Sequence, residues 1–128
     1  MSRDRLLLVL RLLSGGVFVV FGIGKFVNHA SELASFKTYG LPAPEAFVVM
    51  IGLIELVGGL LVMTGILTRL AALVLAADMI GAIVVSGIAK GELISLTIAP
   101  AELVAMVVLL WTGPGTRSVS SSRSMPFM

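Results

Sequence analysis

The chain has 128 residues, of which 58% are hydrophobic, 12% charged and none cysteine, with a formal net charge of +2 and a mean hydropathy of +1.11. Soluble domains carry about 25% charged residues, so this composition excludes a soluble globular fold and specifies an integral membrane protein. The absent thiols exclude disulfide exchange, iron–sulfur clusters and thiolate metal sites, and His29 as sole histidine excludes paired-histidine haem ligation within one chain. No metal site is expected, and the scattered basic residues argue against a nucleic-acid partner.

Apolar segments of about 20 residues match a ~30 Å hydrocarbon core at ~1.5 Å per residue, whereas the ~10-residue alternating segments of a membrane β-barrel are absent. The expected fold is all-α: an integral membrane four-helix bundle over residues 1–115, with spans at about 6–26, 46–67, 70–89 and 93–112, and a mobile cytoplasmic tail over 116–128. Span 1 follows Arg3, Asp4 and Arg5 and has no small-residue cleavage site before Lys25, so it reads as retained. Arg11, Gly15, Phe18, Gly22 and Lys25 recur along it in steps of three and four, which is one helix face.

The segment NHASELASFKTYGLPAP is too polar to cross. Leu33, Phe36 and Tyr39 share one side of a short helix in it, predicting an interfacial helix between spans 1 and 2. Gly40 and Pro42 end that helix, and Pro44 suits the first turn of span 2. Span 2 carries Glu55 among Gly52, Gly58, Gly59 and Gly65, a track of small residues that lets another backbone approach. A short turn at Thr68 and Arg69 predicts a hairpin into span 3, which carries Asp78; after Lys90-Gly91-Glu92, span 4 carries Pro100 and Glu102. Gly113-Pro114-Gly115 ends it. With both termini cytoplasmic, the inner side holds Arg3, Arg5, Arg69, Arg117 and Arg123, as the positive-inside rule prefers.

Five charges thus fall inside spans: Arg11, Lys25, Glu55, Asp78 and Glu102. An ionised side chain at the bilayer centre costs about 2.5–3.5 kcal/mol, so each needs a partner or a task. A ruler along the helix axes puts the three acids within roughly 3 Å of the midplane, Arg11 roughly 8 Å to the cytoplasmic side and Lys25 roughly 13 Å to the other. The expectation is therefore one layer of three acids served by Arg11, with at least one acid protonated through desolvation and repulsion. Such a network serves either helix register, proton relay or the polar head of a ligand. His29 reads as a surface loop residue, the seven methionines as packing, and Tyr39 and Trp111 as interface anchors at opposite ends.

The order RLLSGGVFVVFGIGKF, YGLPAP, ELVGGLLVMTGILTRLAALVLAADM and WTGPGTRS resembles the DoxX family of small bacterial four-helix membrane proteins, over about Arg11 to Ser118. The resemblance implies a multi-pass protein of the bacterial inner membrane, related to the membrane subunit of thiosulfate:quinone oxidoreductase. Arg11, Lys25, Glu55 and Arg69 stand at matching family positions.

Two functions follow as expectations. One is a membrane subunit or scaffold of an oxidoreductase system, not a catalyst on its own, that meets a soluble or peripheral redox enzyme and offers quinone a polar pocket. The other is a small transporter or proton-conducting channel working through the buried carboxylates, which four short spans would require to be a homo-oligomer in the lipid bilayer.

Overall fold

A computed structural model describes residues 2–88 and 90–115, apart from the side chains of Ile94 and Ser95. The tail read above as mobile lies outside the described residues. Among the described residues the chain is entirely helical: α1 (Arg3–Val27), α2 (His29–Thr38), α3 (Pro44–Thr64), α4 (Thr68–Ala82) continuing as a π-helical stretch (Ile83–Ile88), and α5 (Leu93–Thr112).

Local chemistry sets these boundaries. The Ser2 hydroxyl accepts from the Arg5 amide at 3.3 Å and starts α1. Pro44 opens α3, where its missing N–H leaves no bond unmade, and Gly65 closes it at φ 78°. The hairpin turn is therefore Gly65 to Leu67, not Thr68 and Arg69, which form the first turn of α4. Leu67 makes that turn in the left-handed region at φ 50°.

Among the described residues three helices are long and apolar enough to cross a membrane: Arg3–Val27, Pro44–Thr64 and the continuous Thr68–Ile88. In α5, of 20 residues, the apolar run among the described residues is Leu96–Thr112. Many large apolar side chains point outward, among them Leu13 at 67% and Val20 at 65% exposure. On a soluble protein such a surface would aggregate; here it meets lipid.

α1 packs chiefly on α3 and α4 on α5, with α3 against α4 joining the two pairs. The α1–α3 seam is a backbone contact made by glycines. A Cβ on Gly15 would lie 2.7 Å from the Gly59 carbonyl oxygen, and one on Gly22 would lie 2.6 Å from the Leu56 nitrogen. Gly52 faces Lys25 and Phe26 of α1, and Gly58 faces Leu75 of α4. Gly65 stands apart from this track as the cap of α3. Between the pairs, Phe18, Val62, Leu75, Met106 and Leu109 form a fully enclosed apolar core.

Candidate functional site

The glycine seam fixes the register of α1 on α3, and the register decides which charges meet. With Gly15 against Gly59, Lys25 falls level with Gly52, whose added Cβ would stand 3.1 Å from the Lys25 Cβ. Glu55 lies one helical turn further in. The lysine chain reaches inward across that turn, and Nζ sits 2.7 Å from Glu55 Oε1, with both side chains buried. Phe21 lies beside the ammonium, its ring centroid 6.0 Å from Nζ.

By the same register Arg11 falls level with Met63, and its Nη1 donates to the Met63 carbonyl at 3.2 Å. Arg11 is enclosed, at 1% exposure. Eight residues of helix, about 12 Å, separate that carbonyl from Glu55. A ruler along the helix axes favours Arg11 over Lys25 as the cation nearer the acids; the ion pair of Glu55 is with Lys25.

Asp78, from α4, lines the same cavity as Glu55. Asp78 Oδ2 is buried without a hydrogen-bond partner among the described residues. Glu102 does not share this cluster's cavity. It is buried on α5, and its Oε2 likewise has no hydrogen-bond partner among the described residues. Glu55 and Asp78 thus line one cavity, and Glu102 is not among its lining residues.

Lys25, Glu55 and Asp78 line the inner part of a cavity of about 520 Å³. Its walls are apolar and aromatic, including Phe21, Phe36, Phe47 and Ile51, and nearer the helix ends it is lined by Glu32, Tyr39 and Glu92. Two contributors escaped the sequence reading. Tyr39, read as an anchor, donates its hydroxyl to Glu92 Oε1 at 2.7 Å, tying the end of α2 to the start of α5. Burial first, and then the hydrogen bond with Glu92, hold the Tyr39 phenol above its ordinary range. Ser86 lines the cavity from the π-helical stretch, where its hydroxyl donates to the Ala82 carbonyl at 2.7 Å. A face drawn at 3.6 residues per turn does not carry through a π-helix, so α-periodicity could not place it.

The remaining sequence candidates are peripheral. His29 is the first residue of α2, with Nε2 3.8 Å from the Glu45 carboxylate. Arg69 Nη2 donates to the Trp111 carbonyl at 3.5 Å and lies against Gly113, so it braces the end of α5.

An all-helical membrane protein with a charged pocket floor inside an aromatic cavity is the class that this fold and site define. Within that class the chain belongs to the DoxX family, whose model matches residues 6–88, from α1 to the end of the π-helical stretch. It is 36% identical over 129 aligned positions to an uncharacterised membrane protein, Rv3486, of Mycobacterium tuberculosis, covering 86% of this chain and 76% of that one. It is 40% identical over 77 positions to a Bacillus subtilis protein named "Putative oxidoreductase CatD", covering 60% of this chain and 56% of the relative. No solved structure gives a significant match.

Proposed function

We propose that this chain is a four-span subunit of a membrane oxidoreductase system in the bacterial inner membrane, with both termini cytoplasmic and α2 lying at the opposite surface. Its own contribution is a binding cavity for the head of a small lipophilic molecule of the quinone class. A soluble or peripheral partner supplies the catalysis. Membership of DoxX and the naming of the Bacillus subtilis relative support the oxidoreductase setting.

The observation that carries the reading is the floor of the cavity: the buried Lys25–Glu55 pair with Asp78 beside it, under aromatic walls. A quinone head offers carbonyl oxygens that only accept. The Lys25 ammonium, with N–H donors beyond the one that meets Glu55, is of the matching kind, and Asp78 Oδ2, buried without a hydrogen-bond partner among the described residues, is an acceptor for a hydroxyl of the reduced head. The flat ring suits walls of phenylalanine and isoleucine. A register-fixing ion pair alone would call for no cavity around it.

The test is purification in mild detergent followed by mass spectrometry of bound quinones, lipids and proteins. The wild-type chain is expected to retain quinone. The double variant Lys25→Met/Glu55→Met, which removes both charges without stranding one, is expected to lose at least about tenfold of it, the worth of one charge-assisted hydrogen bond. Equal quinone in both preparations would overturn the reading. So would solute or proton flux in proteoliposomes that vanishes in Glu55→Gln, the signature of a transporter.

A further inference from the structure

We propose that α2 is a lid over the cavity and that the Tyr39–Glu92 hydrogen bond is its latch, so that exchange with the outside passes between α2 and the turn before α5. This goes beyond the ligand reading, resting on it only in treating the cavity as a place where something binds.

Glu32, Phe36 and Tyr39 are spaced by four and three residues, one face of α2, and all three line the cavity. Leu33 and Lys37, on another side of α2, line a separate outer groove against Val49, Met50 and Leu53 of α3. The helix therefore walls the cavity at its helix-end side, while the exposed Val74, Ala77 and Gly81 of α4 border it on the side facing lipid. It is lightly held: of its ten residues only Phe36 is buried. The Phe36 and Tyr39 rings touch, with centroids 5.7 Å apart, so Tyr39 holds the aromatic roof together.

The two sides of the latch differ in rigidity. On the fixed side, the Glu92 amide donates to the Ser86 carbonyl at 3.1 Å and the Gly91 amide to the Gly87 carbonyl at 2.7 Å, tying the turn to the π-helical stretch. On the lid side, the single residue Asn28 joins α2 to α1. Its other connection, to α3, contains two left-handed residues, Gly40 at φ 75° and Ala43 at φ 46°. A left-handed alanine is disfavoured by its own Cβ, so this connection gains little from its present conformation and can change it. The second polar tie of α2, His29 to Glu45, is long and exposed on the Glu45 side, and holds weakly. Tyr39 to Glu92 is short, partly buried and made to a carboxylate, the stronger kind of bond.

The absence of cysteine gives a clean readout. Ala82→Cys places one thiol in the cavity lining, and Ser31→Cys places one on the exposed side of α2 as a reference. Each is reacted with a charged, water-soluble maleimide in nanodiscs. In the latched protein Ala82→Cys is expected to label much more slowly than Ser31→Cys. Adding Tyr39→Phe is expected to raise the Ala82→Cys rate about tenfold, as loss of a hydrogen bond to a charged group implies, and to leave Ser31→Cys unchanged. Glu92→Gln, which keeps an acceptor but not the charge, should give a smaller rise and serves if Tyr39→Phe does not fold. An Ala82→Cys rate indifferent to both variants, or equal to that of Ser31→Cys from the start, overturns the lid. Latch-dependent labelling without any co-purifying quinone would instead sink the ligand assignment and leave the lid standing.

Discussion

Lys25 shows how far a single side chain can depart from its position on a ruler. Its backbone lies near the end of α1, where a lysine in a bilayer would ordinarily extend outward to water. It extends inward because the cavity offers Glu55 at 2.7 Å and the Phe21 ring beside it. Desolvation of a lone ammonium would forbid this; the carboxylate offsets it. At the other end of the same helix, Arg11 spends a guanidinium donor on the Met63 carbonyl. Tyr39 provides a spectroscopic handle, since it is the only tyrosine in the chain. Its phenol is held above the ordinary 10.0 by burial and by Glu92. Ultraviolet titration of the folded protein is therefore expected to show no tyrosinate at a pH where free tyrosine is half ionised, and Glu92→Gln should move the transition down. The sign for stability follows: the folded state keeps a proton that the unfolded state loses, so this contribution is intact below pH 10.0 and declines as pH rises beyond it. Tyrosinate appearing at the ordinary value would contradict the buried hydrogen bond.

At the scale of elements, the α1–α3 seam governs the rest. Helices in lipid gain nothing from hydrophobic exclusion, and close backbone approach through glycines replaces it. Gly15→Ala and Gly59→Ala would each drive a methyl to within 2.7 Å of a carbonyl oxygen across the seam. Backbone cannot yield as a side chain can, so each is expected to cost about 1–3 kcal/mol and to loosen the Lys25–Glu55 register with it. Gly16→Ala and Gly24→Ala meet nothing within 4 Å and should be neutral or stabilising by up to about 1 kcal/mol through helix propensity. Thermal unfolding of the four variants in detergent checks the contrast; a uniform response would show that the seam is not tight. The helix faces carrying Gly15, Gly22, Lys25 and Glu55 were legible as spacing in the sequence. Ser86 was not, since the π-helical stretch breaks the period that would have placed it.

For the whole molecule, the lipid-facing surface and the family agree on a membrane protein, and the proposed four spans make a further demand. An even number of crossings puts both termini on one side. In oriented vesicles, a water-soluble thiol reagent should therefore reach Ser2→Cys and an appended C-terminal cysteine from the same face, and Lys37→Cys and Lys90→Cys from the opposite one. A C-terminal cysteine labelled with the Lys90→Cys group would show that α5 does not cross, leaving three spans.

The sequence alone determined the solvent, the all-helical class, the family and the presence of charged residues inside apolar helices, because composition and period are properties of local chain chemistry. It did not determine partners. Which cation met which acid depended on how α1 slid along α3, a matter of glycine contacts between residues about 40 positions apart, such as Gly15 and Gly59. The tertiary structure chose Lys25 for Glu55, drew Asp78 to the pair, left Glu102 outside their cavity and set Tyr39 on Glu92. Such pairings turn on shifts of a single helical turn, about 5.4 Å, which no ruler along separate helices resolves.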